Sequence, residues 1–319
     1  MRQNVNNDTF GPRADAVAAT GCQDLVIRRR SLSSANTEGP VRQLIFDIAI
    51  HCVGRVLLAR DLALGSVKRN WSVKSADLGV TRLAIQSGRN VLDAVLVMPA
   101  SKETRASVLI CHGIGETVQN WFAVQELLAT CGVASLVFDY SGYGRSSGIF
   151  HARQSEQDAV SAFFCLQRLT KPLPISLLGF SLGSGIATAI LGRVPANTML
   201  LCAAFTSLRE AARSVGVPKI FCFAVPPIWC AKDVLRTCNV PVRIVHGEKD
   251  RLFPVKMAAE LNDFCGSRAE VAIVANLAHN EPFSRPQMSY WGPIASHLLA
   301  FANAKDIECQ QPRSSPRRS

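Results

Sequence analysis

Residues 175–187 read ISLLGFSLGSGIA, and the fold turns on them. The first six are a short, mostly apolar run with the length of a buried strand. From Leu182 onward the small and apolar residues suit a helix. Between the two stands Gly179-Phe180-Ser181-Leu182-Gly183, a G-x-S-x-G pattern. Its glycines allow a turn too tight for side chains, which lifts the Ser181 hydroxyl above the end of the strand. The helix that follows points its N-terminus at the same place and favours negative charge there. Ser181 is therefore the candidate nucleophile.

On both sides of this unit short apolar runs alternate with helical periodicity. Strands are expected at 107–111, 134–140, 175–180, 198–204, 242–247 and 271–275. Helices are expected near 118–131, 152–170, 182–193, 255–265 and 287–303. Residues 77–86 and 91–98 read as antiparallel strands around the turn at 87–90, with a further strand at 71–74. This order predicts an α/β fold, a mostly parallel sheet with helices on both faces. In such a sheet ligands bind beyond the carboxyl ends of the strands, so the loops there carry the chemistry.

A serine hydroxyl needs a base. After the last strand comes Asn276-Leu277-Ala278-His279, and His279 can take the serine proton and return it to a leaving group. The imidazole needs an orienting carboxylate. The 242–247 strand runs into Glu248-Lys249-Asp250, and Asp250 fits that slot, with Asp139 and Glu248 as rivals. The order along the chain is Ser, Asp, His. An oxyanion would need preorganised donors. The backbone N–H of Leu182 is one candidate. The N–H of Ile114, in the loop Cys111-His112-Gly113-Ile114-Gly115-Glu116, is the other.

Taken in order, these motifs resemble the α/β-hydrolase superfamily, and most closely its serine-aminopeptidase S33-type and BEM46/ABHD17-like branch. The resemblance rests on Leu109–Gly113, on Phe138-Asp139-Tyr140-Ser141-Gly142-Tyr143-Gly144-Arg145-Ser146-Ser147-Gly148, on Gly179–Gly183, on Phe205–Arg209, on His246–Asp250 and on Ala278-His279-Asn280. It covers about residues 71–303. It implies the α/β-hydrolase fold, with Asp139 pinning the glycine-rich loop after its strand. It further implies a serine hydrolase that cleaves a carboxylic ester or thioester through an acyl-enzyme. A peptidase of the S33 type and a non-enzymatic scaffold of the same fold are the alternatives. Neither cofactor nor metal is expected, and the partner is a small acyl ester.

Between the strands at 198–204 and 242–247 lies an insert, 206–240, rich in apolar residues. Phe221, Phe223 and Trp229 are its candidate substrate-binding side chains, as parts of a short lid lining an acyl pocket. The other reading is an ordinary helix pair packed on the sheet. An insert this short predicts a fairly open site.

Composition narrows the rest. The chain has 319 residues, 48% hydrophobic and 18% charged, which excludes a disordered chain or a coiled coil. The net charge is +11, and the terminal segments 1–70 and 302–319 carry +6 of it. No concentrated basic face of the kind nucleic acid requires is visible. The cysteine count, 11, is odd and without CxxC pairs, which suits buried thiols in a reducing compartment. The first residues lack the apolar core of a secretory signal. Residues 1–40 and 304–319 read as disordered. Residues 41–63, within an N-terminal stretch 41–70, read as a helix with a narrow polar stripe of Gln43, Asp47, His51 and Arg55. Docking of that helix on the domain gives a cytoplasmic protein. Weak contact of residues 28–63 with a membrane surface, aided by Arg28, Arg29 and Arg30, is the alternative. The oligomeric state is not legible in the sequence.

Overall fold

The computed structural model describes residues 78–100, 103–223 and 225–310, the last eight as backbone only. The expectations for residues 1–77, including the 41–63 helix and the 71–74 strand, and for residues 311–319 lie outside the described residues.

The sheet opens with a hairpin, β1 (Leu78–Ser87) and β2 (Asn90–Pro99), paired antiparallel so that Ser87 faces Asn90 across the turn. There follow β3 (Ala106–Cys111), β4 (Val133–Phe138), β5 (Ile175–Phe180), β6 (Met199–Cys202), β7 (Val242–Gly247) and β8 (Ala269–Val274). Their order across the sheet is β1-β2-β4-β3-β5-β6-β7-β8. β2 meets β4 antiparallel, and from β4 to β8 every pairing is parallel.

The helices are α1 (Val118–Thr130), α2 (Ala152–Thr170), α3 (Leu182–Ile190), α4 (Leu208–Ser214), α5 (Ala231–Leu235), α6 (Lys256–Cys265), α7 (Glu281–Ser284) and α8 (Met288–Gln310). The last helix runs on to Gln310 rather than ending near 303, so the first residues of the expected disordered tail are helical. The 206–240 insert is not a pair of long helices. Two short ones, α4 and α5, flank an irregular stretch with a single 3-10 turn at Lys219–Phe221.

Strands β3, β4 and β5 are buried along their whole length. Period-two alternation divides their side chains between two cores. Leu109, Leu136 and Leu177 pack with Phe163 of α2, Ile186 of α3 and Leu261 of α6 on one face. Val108, Val137 and Leu178 pack with Trp121 and Leu128 of α1 and Trp291 and Leu298 of α8 on the other. β5 thus lies in the middle of a doubly covered sheet, and the turn that follows it is held from both sides. β8 is an edge strand with half-exposed and exposed side chains. Among the described residues every cysteine is a free thiol, and no helix is long and apolar enough to cross a membrane.

Candidate active site

Ser181 sits between the end of β5 and the first residue of α3 with φ 51° and ψ −119°. This left-handed strain on a non-glycine residue costs of the order of 1–3 kcal/mol and persists because its surroundings enforce it. The Ser181 N–H donates to the carbonyl of Cys202 at 3.1 Å, tying the turn to β6. On the other side the turn rests against the end of β3. A Cβ at Gly183 would stand 1.9 Å from the Cys111 carbonyl oxygen, so only glycine fits. Gly183→Ala is therefore expected to cost at least about 1–3 kcal/mol of stability, by overpacking against backbone that cannot give way. Urea unfolding of the variant checks this, and an unchanged midpoint would show that the turn relaxes freely.

The structure brings Ser181, His279 and Asp250 together. His279 Nε2 lies 2.9 Å from Ser181 Oγ, and His279 Nδ1 lies 2.7 Å from Asp250 Oδ2. An ionised carboxylate only accepts hydrogen bonds, so Nδ1 carries the proton and Nε2 is left free to accept from the serine. The other carboxylate oxygen, Oδ1, accepts the backbone N–H groups of Leu252 and Phe253, both at 2.9 Å. Burial opposes ionisation of Asp250. The hydrogen bond and charge of His279, the Phe253 N–H and nearby His246 outweigh it and hold the carboxyl below its ordinary value.

His246 stands behind the carboxylate. Its Nε2 donates to the Phe253 carbonyl at 2.9 Å and lies 3.5 Å from Asp250 Oδ2. Burial pushes its pKa below the usual imidazole value. It fastens the 250–253 turn that supplies the N–H donors to Asp250.

The loops carrying acid and base are cross-tied. Lys249 N–H donates to the Leu277 carbonyl at 3.0 Å. A Cβ at Gly247 would stand 2.3 Å from that same oxygen. Glu248, a rival for the acid, instead accepts the Asn276 N–H at 3.0 Å. Glu281 accepts the Ala278 N–H at 2.8 Å. The rings of Phe180 and Phe253 pack against His279, with centroids at 5.4 and 5.2 Å. These contacts bury the three groups themselves. Ser181 is only 4% exposed, and Asp250 and His279 are buried with it, because the aromatic rings and the tied loops close around the three groups.

Asp139, the other rival, lies elsewhere. Its carboxylate accepts the Val118 N–H at 2.8 Å and the Arg145 N–H at 3.3 Å, pinning the 141–148 loop to the start of α1. Burial pushes its pKa up to about 6 against the pull of those donors.

Leu182 is the first residue of α3, a position whose N–H has no acceptor within its helix. Ile114 lies in the loop after β3. That loop is braced by buried Glu116, whose Oε2 accepts the Gly113 N–H at 2.9 Å and the Trp121 indole N–H at 2.7 Å. In the sequence Glu116 stands only as the last residue of the Cys111–Glu116 motif. The signal available was a carboxylate three residues after a glycine at a strand end.

The insert residues separate. Trp229 is buried in the core. Its indole N–H donates to Glu156 at 3.0 Å, and a Cβ at Gly185 of α3 would touch its ring at 3.1 Å. Phe221 and Phe223 stand out in solvent. The three are not brought together as one pocket wall, because the buried side chains Cys222 and Val225 take the inward positions of this segment.

Residues 102–226 match the profile of the family described as serine aminopeptidase, S33. Among curated proteins the chain is similar to the lysophosphatidylserine lipase ABHD12 of Danio rerio, 27% identical over 176 residues, which are 49% of this chain and 46% of that protein. The Mus musculus lysophosphatidylserine lipase is 26% identical over 182 residues, 51% of this chain and 46% of its own length. The chain thus spans about half the length of the curated relatives it matches. Among solved structures, an esterase of Pyrococcus furiosus superposes with a TM-score of 0.56 at 16% identity, covering 75% of this chain and 96% of that one. Est1E of Butyrivibrio proteoclasticus, solved with ferulic acid, gives 0.57 at 18% identity, covering 70% and 99%. With the sheet order and the strand–turn–helix around Ser181, these likenesses lead to one conclusion: the chain has the α/β-hydrolase fold.

Proposed function

We propose that this hydrolase is a serine esterase that cleaves a carboxylic ester or thioester through an acyl-enzyme. The observation that carries the reading is the hydrogen-bonded series from Asp250 through His279 to Ser181, at a strained turn on the carboxyl edge of the sheet. Ser181 Oγ attacks the acyl carbon while His279 Nε2 takes its proton. The negative oxygen that forms is met by the N–H groups of Leu182 and Ile114, since that of Gly113 is spent on Glu116. Each such donor contributes about 3–4 kcal/mol to the transition state. Collapse breaks the bond to the alcohol or thiol, which leaves with the proton from His279. A water molecule, deprotonated by the same nitrogen, then attacks the acyl carbon and releases the acid. Asp250 stays ionised throughout and favours the imidazolium that forms.

The named activity of the curated relatives makes a lysophospholipid the first natural ester to test. The decisive experiment is labelling of the full chain with a fluorophosphonate probe. Covalent labelling confined to the peptide containing Ser181 is the expected result. A folded chain that takes no label at Ser181 would leave the non-enzymatic reading in its place.

A further inference from the structure

Among the described residues the four most exposed large apolar side chains are Ile149 at 80%, Phe223 at 79%, Ile220 at 71% and Phe221 at 57%. All four stand on loops that leave the carboxyl edge of the sheet, the edge on which Ser181 lies. Ile149 follows β4. Ile220, Phe221 and Phe223 follow β6, which runs parallel to β5.

The second group belongs to an excursion, 209–227, whose two ends are pinned together at that edge. Ala231 N–H donates to the Thr206 carbonyl at 2.9 Å, and Leu208 N–H to that of Ile228 at 3.4 Å. Three large apolar residues of the excursion, Ile220, Phe221 and Phe223, face out. Cys222 and Val225 fill the inside, and Arg209 Nε holds the Val225 carbonyl at 3.1 Å. The 3-10 turn Lys219–Phe221 then has no buried residue at all. Exposed phenylalanines are expensive in water, and a soluble surface normally avoids clustering them. The surrounding charge is basic. Residues 206–240 contain five Lys or Arg against two Asp or Glu, with Lys219 inside the turn itself and Lys232 and Arg236 exposed on and beside α5. Exposed apolar side chains flanked by a cation, as Lys219 flanks these, fit a surface that offers hydrocarbon beneath negative headgroups.

We propose that the tip of this excursion, Lys219–Phe223, is a docking surface for an anionic lipid bilayer, with Ile220, Phe221 and Phe223 entering the interface and Lys219 meeting the headgroups. The proposal does not rest on the catalytic roles assigned above, because binding is read without turnover.

The test is flotation of the full chain, wild type and Ser181→Ala, with vesicles of three parts phosphatidylcholine to one part phosphatidylserine. Both are expected to float. Combined Ile220→Ser, Phe221→Ser and Phe223→Ser should lower the partition coefficient at least about tenfold. Lys219→Ala alone should lower it about fivefold, an effect that fades in 1 M salt. The substituted side chains are exposed, so melting should be unchanged, and Lys219→Ala gives an independent reading if the triple variant folds poorly. Failure of the wild-type chain to float overturns the proposal. So does a folded triple variant that binds within twofold of wild type, which would place attachment elsewhere, as at residues 28–63. A third overturning result is a triple variant that breaks a wild-type dimer in sedimentation while vesicle binding stays the same, which would make the tip a contact between copies.

Discussion

Ser181→Ala is expected to abolish hydrolysis of p-nitrophenyl esters, with kcat falling by about 10⁶-fold, the scale on which a serine nucleophile acts together with its base. The fold should survive. The substitution keeps the Cβ and the backbone of the turn and removes only the hydroxyl bonded to His279, a change within about 1 kcal/mol. Ser181→Gly sharpens the test. It should be equally inactive, yet more stable than the alanine variant by about 1 kcal/mol, because glycine adopts φ 51° without a side chain to strain. Ester turnover within tenfold of wild type in folded Ser181→Ala would remove Ser181 from the mechanism.

Asp250→Asn should lower kcat by about 10⁴-fold, and the local geometry says why. Both backbone donors, from Leu252 and Phe253, converge on Oδ1. An asparagine must therefore keep its carbonyl oxygen there and turn its NH₂ toward His279 Nδ1. That nitrogen becomes an acceptor, the imidazole proton moves to Nε2, and the nitrogen facing Ser181 can no longer take a proton. In the wild type the Asp250 carboxyl titrates below its ordinary value. The stability that its carboxylate gains from the His279 hydrogen bond is thus present above the ordinary carboxylate range and is lost only as pH falls through the lowered pKa.

Asp139→Asn is the control and should stay within tenfold of wild-type activity. Its carboxyl has the opposite shift, up to about 6. Its titration therefore favours the folded chain in acid and withdraws that support as pH rises through about 6. The variant should lack this limb of the stability profile, as measured by urea unfolding on either side of pH 6. Should Asp139→Asn be inactive in a normally melting protein while Asp250→Asn is active, the two roles are reversed.

Much of the frame was legible because local signals agreed with one another. β5 and β7 fall at the expected residues, and α2 spans 152–170 as expected, since each combines a clear hydrophobic period with glycine, proline or polar boundaries. The residues at the strand ends were legible for the same reason, as G-x-S-x-G, Asp250 and His279 follow apolar runs directly. What the sequence could not display is direction. Phe221, Phe223 and Trp229 are alike in composition, yet one is buried and two project, because Cys222 and Val225 take the inward positions of an irregular segment with no period to read. Long-range polar contacts were likewise hidden. His246 reaches the turn beyond Asp250, and Glu116 holds Gly113 and Trp121, through side-chain geometry that spacing alone does not encode.

The three bonded groups at the site come from strands of very different standing. The serine follows β5 in the middle of the sheet, whereas the histidine follows β8, whose outer edge has no neighbour among the described residues and whose Val271 and Ile273 face solvent. Regions with few buried apolar contacts open most readily. The Lys249–Leu277 tie and the Glu248–Asn276 bond fasten that outer strand's loop to β7. Together with the Asp250–His279 contact, those two bonds hold the base-bearing loop to β7, so that opening of the rim would part His279 from Ser181 while the core stayed folded.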